Sequence, residues 1–423
     1  MKNIMKNKTK IMIGITIGVI ILLIIISGCL RNQCGDGICR PQEESRGDCP
    51  EDCKQPNIEI PNELIVKNIK ILQEKSVHGD WSPDSERIVF ERWKDFYFHL
   101  YISDSEGKGE ESLTLGNPRI NQLNNGWPVW HPSGQYIVFQ SEEPEHYNMN
   151  DRWLPFSGNG FYNNLWATKP DGSNSWKLTD IDIKKTLFDG IVAKAVVSPH
   201  FSHDGTRLLW TERYADGGSS KWGYWQVRMA DFIIEDGEVK LEPKEGNIII
   251  RAEDICKECN YVNAMGISPD NKKLLLAGNL NGQHVFGMDQ YIFYIENKTL
   301  TNLLETPNYW EEGSCLTPDG KKIIYPTNIN SPYEFDFENA DWAKQLRTKE
   351  YWIMDSNGSN KQQLTYFNTP GFAEYNEIGK GRRVIVAECR FSPDGKKLLG
   401  IIGIDKLSGA QSRFELSIVL IEF

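Results

Sequence analysis

From residue 81 to the C-terminus, hydrophobic and polar positions follow one repeated order: an apolar residue, a four-residue reversal, a polar pair, then an apolar run. The copies are WSPDSERIVF (81–90), WHPSGQYIVF (130–139), FSHDGTRLLW (201–210), ISPDNKKLLL (267–276), LTPDGKKIIY (316–325) and FSPDGKKLLG (391–400). Each predicts two antiparallel strands joined by a tight turn. Pro fixes φ at the first turn position, Asp accepts local backbone hydrogen bonds, and Gly takes the positive φ that closes the reversal. Ser85 and Asn271 stand at the Gly position, and Asn tolerates that conformation. Six hairpins with the same turn chemistry mark a repeat architecture.

A second pair of signals follows each copy: a strand rich in aromatic and β-branched residues, then a short Gly- or Asn-bearing turn. Examples are HLYISDSEGKGE (99–110), NLWATKPDGSNS (164–175), YIFYIENKT (291–299) and YWIMDSNGSN (351–360). Three units add a Leu-Thr pair after that turn: Leu113-Thr114, Leu178-Thr179 and Leu364-Thr365. Each repeat therefore reads as four antiparallel strands.

With these motifs the sequence from about residue 64 to its end resembles the propeller repeats of the TolB family, whose blades carry a [WF]-S-P-D-G-K hairpin, an aromatic third strand and a terminal Leu-Thr. The resemblance implies an all-β, six-bladed propeller of four-stranded antiparallel blades. It also implies a protein-interaction role, as TolB-type propellers are periplasmic interaction modules. The last repeat has a third strand, FELSIVLIEF (414–423), but no fourth. The unassigned strand LIVKNIKIL (64–72) is expected to supply it and close the ring, removing an unpaired edge.

The formal net charge of −11 argues against nucleic acid, which needs a clustered basic surface. The leader departs from this acidic body: Lys2, Lys6, Lys8 and Lys10 precede an apolar run over 11–26, a pattern that sends the following chain outward. The run ends in Ile26-Ser27-Gly28-Cys29, similar to a bacterial lipobox with Cys29 as the lipidated residue. A retained single span is the other reading. Both make the protein membrane-anchored on the cell-surface or periplasmic side, with 1–28 as signal peptide or anchor, 29–56 as a lipidated Cys-rich stalk and 57–423 as propeller. Cys34, Cys39, Cys49 and Cys53 within the stalk read as two disulfides with three pairings open. Zinc on these cysteines, or calcium on Asp36, Asp48, Glu51 and Asp52, are the rivals.

The repeats are longer than the roughly 40–45 residues of a compact propeller unit. Naming the strands of a blade a to d, the a–b and c–d turns share one face of the disc and the b–c and d–a connections the other. Long connections at 141–163, 213–223 and 327–350 (b–c) and at 180–194 and 367–382 (d–a) elaborate the second face, with residues 340–347 read as a short helix. Only 235–246 lengthens the first. The elaborated face is the expected working face. Its loops carry Tyr147, Trp153, Phe156, Phe161, Tyr162, Trp222, Tyr224, Tyr333, Phe335, Phe337 and Trp342, interleaved with acids such as Glu142, Glu143, Asp151 and Asp336. Such aromatics suit peptide or sugar recognition, or hold the loops together by mutual packing.

Catalytic signatures are sparse. There is no G-x-S-x-G, H-E-x-x-H, Walker A loop or G-x-G-x-x-G, and no residues remain for a hydrolase domain. His78 and His200 precede the hairpins of blades 1 and 3, near the starts of channel-lining strands. They are the candidates for a transition-metal site, with His284 and His146 as extras and acids such as Asp80 or Asp189 beside them. His131 and His203 lie inside turn motifs and belong to the opposite face. Cys256 and Cys259 read as a small structural disulfide; Cys315 and Cys389 as a bridge between blades 5 and 6 or as two buried thiols. Asn297-Lys298-Thr299 and Asn357-Gly358-Ser359 are glycosylation sequons. The expected function is a non-catalytic, extracytoplasmic binding scaffold for a protein, peptide or glycan partner. The alternative is a carbohydrate-binding protein or metal-dependent polysaccharide lyase working at the channel mouth.

Overall fold

The computed structural model describes residues 64–144, 155–156, 158–181, 194–217, 220–331, 348–406 and 414–423, without the side chains of 217–222. Over these residues twenty-four strands, β1 to β24 in chain order, form six four-stranded antiparallel sheets. The six inner strands are β2 (Ser76–Trp81), β6 (Asn125–Trp130), β10 (Ala195–Phe201), β14 (Val262–Ile267), β18 (Cys315–Leu316) and β22 (Val384–Phe391), one for each of blades 1 to 6.

Ring closure follows the expectation with a shifted boundary. The strand β1 (Asn68–Glu74) pairs with the last strand, β24 (Phe414–Glu422), from Asn68 opposite Glu422 to Glu74 opposite Ser417. It becomes the outer strand of blade 6, and Ile69 and Ile71 pack on that blade's core.

The apolar run after each turn is explained by position: a second strand is sandwiched between two neighbouring blades. In β3 (Arg87–Lys94), Ile88 and Phe90 join the core shared with blade 6, while Val89 points into the core shared with blade 2. A strand buried on both faces has no polar side to alternate with.

Each S-P-D-G turn is closed by its first residue. The hydroxyls of Ser82, Ser202, Ser268, Thr317 and Ser392 accept the backbone N–H five residues on, at 2.9–3.0 Å. They donate to Asp84, Asp204, Asp270, Asp319 and Asp394, and these bonds hold all five carboxyls below their usual range, Asp204 at about 2. Ser85 and Asn271 adopt φ of 62° and 57°, as their place in the motif requires. In blade 2, His131 Nδ1 accepts the Ser133 N–H, and Nε2 donates to Gly205 O of blade 3 at 3.0 Å.

These turns also touch one another. A Cβ on Gly205 would meet His131 Nε2 at 2.7 Å, one on Gly320 would meet Pro269 at 2.7 Å, and Gly134 and Gly395 face Pro83 and Pro318. The turn glycine of a blade thus sits against the turn of the blade before it. The Leu-Thr pairs have an equally local cause: the hydroxyls of Thr114, Thr179 and Thr365 accept the N–H of Leu100, Leu165 and Tyr351 in the third strand.

Blade 3 differs from expectation. Residues 213–217 and 220–223 are not a loop but strand in a long hairpin, with β11 (Arg207–Gly217) paired to β12 (Ser220–Glu235). Its other end continues as β12 against β13 (Glu238–Arg251), so the blade projects from both faces. In the connection at 367–382 the chain forms a π-helical turn, Glu374–Gly379, that buries Tyr375 and Ile378. Disulfides join Cys256 to Cys259 and Cys315 to Cys389, the latter tying the inner strands of blades 5 and 6.

Candidate functional site

The inner strands place their polar side chains around the central channel through a shared irregularity. The ladders of β2, β6, β10, β14 and β22 each slip register just before the turn, at Val77/Gly79, Gly126/Val129, Val197/His200, Ala264/Gly266 and Val386/Cys389. Trp127 and Ser198 take positive φ there, 49° and 55°. A bulge re-aims the side chains beside it.

Three residues before the last apolar residue of the strand stand His78, Trp127 and Glu388. The His78 ring stacks on Trp127 with centroids 4.0 Å apart, and its Nδ1 lies 2.7 Å from Glu91 Oε1. The other Glu91 oxygen accepts the Trp127 N–H at 2.7 Å, and Glu388 Oε2 is 3.7 Å from His78 Nε2. Burial opposes protonation of His78, but the charge and hydrogen bond of Glu91, with Glu388 nearby, raise it net above the ordinary histidine value.

One residue before that apolar position stand Asp80, His200 and Arg390. Asp80 accepts the Trp130 N–H at 2.7 Å; its burial raises the carboxyl despite the Arg390 charge. His200 Nε2 lies 3.0 Å from Ala264 O, and Arg390 Nη2 reaches within 3.5 Å of the same nitrogen. Blades 3 and 6 are opposite in a six-membered ring, so this arginine spans the bore. Burial and then the Arg390 charge hold His200 well below the ordinary value, which keeps it neutral and donating to Ala264.

Blade 5 adds a third group. Glu312 accepts from the Tyr261 hydroxyl and, at 3.2 Å, from Asn263 Nδ2, and Trp310 Nε1 donates to its other oxygen at 3.3 Å. Lys349 Nζ lies over the Trp310 ring, 4.4 Å from its centroid. Burial pushes this amine down to about 8, against the charges of Glu312, Glu388 and Glu311. On the loop side these groups adjoin an apolar cluster from five blades that includes Trp127, Phe161, Tyr162, Trp225, Tyr261, Met288, Trp310 and Phe414.

The candidate histidines are therefore not brought together. His78 is committed to Glu91, whereas His200 sits at the turn end of β10, not its start, and is committed to blade 4. His284 packs on Phe286 outside this layer, and His146 and Asp189 lie outside the described residues. Among the described residues no group of three His, Cys, Asp or Glu side chains is arranged to hold a metal.

Of the aromatic candidates, Phe156 and Tyr162 are buried; Phe156 packs edge-on to Trp93 and Phe98, so both act as loop anchors. Tyr224 is half-buried in the blade 3 hairpin, opposite Ala215. Trp222 is a side chain outside the description, as are Tyr147, Trp153, Tyr333, Phe335 and Trp342, and the leader and stalk with Cys29, Cys34, Cys39, Cys49 and Cys53.

The sequence reading passed over Trp127, Glu388 and Arg390, which share the offsets of His78 and His200 in their own repeats; superposing the six copies would have found them. Glu312 and Lys349 lie in connections with no repeated offset, and nothing in the pattern marks them.

No protein-family model matches this chain, and no curated protein matches it. Among solved structures it is similar to TolB from Acinetobacter baumannii at 15 % identity and a TM-score of 0.44, covering 82 % of this chain and 63 % of that chain's length. A TolB structure from Agrobacterium tumefaciens matches at 12 % identity and a TM-score of 0.47, covering 83 % of this chain and 91 % of the other. An oligogalacturonate lyase in complex with manganese matches at 10 % identity and a TM-score of 0.45, covering 85 % and 98 %. Sheet order and turn chemistry together make the described residues a six-bladed β-propeller of four-stranded antiparallel sheets.

Proposed function

We propose that this protein is an extracytoplasmic binding scaffold, held at the membrane through Cys29 or a retained N-terminal span, that recognises a protein or peptide partner with the face carrying the b–c and d–a connections. The observation that carries the reading is the asymmetry of the disc. On one face every a–b connection is the same sealed four-residue turn. On the other, the chain runs between strands from Glu142 to Asn163, from Lys177 to Ala195, from Thr327 to Glu350 and from Gln363 to Val384. Long connections on a rigid ring supply a variable recognition surface, whereas tight repeated turns supply none.

The reading is tested by in-cell photocrosslinking, with the reactive residue at Asn330 or Glu377 on the loop face and at Ser133 or Asp319 on the turn face. A discrete adduct from the loop-face positions alone is expected. Adducts only from the turn face, or from neither face, would overturn the assignment.

A further inference from the structure

From residue 64 onward the triplet Asn-x-Ser/Thr with a residue other than Pro in the middle occurs twice, as Asn297-Lys298-Thr299 and Asn357-Gly358-Ser359. Both copies occupy the same place in their blades. The first joins β16 (Asp289–Tyr294) to β17 (Thr299–Asn302) in blade 4, and the second joins β20 (Glu350–Asp355) to β21 (Gln362–Gln363) in blade 5. These c–d turns stand beside the a–b turns of their own blades: the Ile295 N–H donates to Lys272 O at 3.0 Å, and the Ser356 N–H to Lys321 O at 2.8 Å. Asn297, Thr299, Asn357 and Ser359 are all exposed.

The two asparagines shape their turns alike. Asn297 Oδ1 accepts the Thr299 N–H at 3.2 Å and the Thr299 hydroxyl at 2.7 Å; Asn357 Oδ1 accepts the Ser359 N–H at 3.0 Å and the Ser359 hydroxyl at 2.6 Å. Such a turn needs only the side-chain oxygen. In blade 2 the c–d turn, between β8 (Asn163–Thr168) and β9 (Ser175–Lys177), is built on Asp171-Gly172-Ser173, and the carboxylate accepts the Ser173 N–H at 2.9 Å and the Ser173 hydroxyl. Exposure matches too: Asp171 and Ser173 face outward around a buried Gly172, as Asn357 and Ser359 do around a buried Gly358. A carboxylate thus suffices for the turn. At 297 and 357 the chain carries a carboxamide instead, and its Nδ2 makes no hydrogen bond among the described residues. The fold accounts for the oxygen and leaves the nitrogen unused, in solvent, two residues before a hydroxyl.

We propose that Asn297 and Asn357 are acceptor sites for an N-linked oligosaccharide. In the transfer, Nδ2 attacks the anomeric carbon of a lipid-phosphate-linked oligosaccharide. The C–N bond forms, the C–O bond to phosphate breaks with its electron pair going to the lipid phosphate, and Nδ2 gives up one proton to a base of the transferase. Such transfer happens outside the cytoplasm, so these sites rest on the extracytoplasmic placement proposed above. They put two bulky, solvated chains on the turn face, at blades 4 and 5, and leave the loop-bearing face uncovered.

The test is mass spectrometry of the full-length chain purified from its own host, after intact cells have been treated with a membrane-impermeant amine label. Peptides covering Asn297 and Asn357 are each expected to carry an oligosaccharide mass on the asparagine. Asn297→Asp and Asn357→Asp keep the turn's acceptor oxygen, so each should fold as the parent does and lose one oligosaccharide. Thr299→Ala and Ser359→Ala should lose the same oligosaccharides with the asparagines intact. Asp171→Asn completes the triplet in the matching turn of blade 2 and is expected to gain a third. Unmodified peptides from a surface-labelled protein would overturn the glycan sites and leave the extracytoplasmic reading standing, whereas unmodified peptides from a protein the label does not reach would overturn both. An oligosaccharide that survives Asn297→Asp and Asn357→Asp is attached through another residue, and that result too would overturn the proposal.

Discussion

Single hydroxyls do much of the fixing in this fold, and their positions make their contributions separable. Thr365 accepts the buried Tyr351 N–H at 3.0 Å and donates to Glu350 at 2.8 Å, so Thr365→Val strands the Tyr351 N–H and removes one of the hydrogen bonds that Glu350 accepts. A buried donor without a partner costs about 1–3 kcal/mol, and a shift of that size in denaturant unfolding is expected. Thr114→Val, which strands only the Leu100 N–H, should fall at the lower end. Titration is equally local. Burial pushes Glu311 up to about 8, against hydrogen bonds from Thr306 and Thr327, whereas an unfolded glutamate titrates near 4.5. Between these values the folded chain keeps a proton that the unfolded chain has lost. Its contribution is therefore complete below about 4.5, declines as pH rises towards 8, and then levels. The slope for one group is at most about 1.4 kcal/mol per pH unit. Glu350, also pushed up to about 8, acts in the same direction, so the difference between the parent and Glu311→Gln isolates Glu311. Thermal melts from pH 4 to 9 should show a shallower decline in the variant; parallel curves would mean that Glu311 is charged in the fold.

At the level of strands and turns, legibility divided along a physical line. The S-P-D-G hairpins, the Leu-Thr pairs and the closing strand were readable because each acts within its own few residues, through φ preference, a hydroxyl or an apolar run. The hairpin of blade 3 was not, since Arg213 to Gly223 has the glycines and charges of a loop, and only pairing across the whole blade extends it as strand. The channel was half legible. His78 and His200 stood out by residue type, but which groups they meet depends on bulges in five inner strands and on the curvature of the ring, neither of which leaves a periodic trace. Residue type left Phe156 and Tyr162 open between ligand contact and packing that holds the loops; in the fold they pack, and pin that connection to its blade.

For the whole molecule, stability rests on a chain of neighbour contacts bent into a circle, and the circle is completed by one strand. Replacing Ile69 and Ile71 of β1 with Asp sets charges against the blade 6 core and should lower unfolding free energy by about 2–4 kcal/mol. Because β24 is then an open edge, the variant should also elute partly as oligomers in size-exclusion chromatography. An unchanged melt and elution would show that the disc holds without its closing strand.

The contact of each turn glycine with the turn of the preceding blade has a further consequence. In the collar these turns form, a Cβ at Gly205 or Gly320 would collide with the preceding repeat, while Gly134 and Gly395 rest in ordinary contact with it. On the opposite rim the b–c connections range from the tight turn between Lys94 and Tyr97 to the long segments between Glu142 and Asn163 and between Thr327 and Glu350, while the collar keeps the register of the ring. The disc is in effect a socket with a fixed base and interchangeable fittings, and new recognition could be grafted onto it one connection at a time.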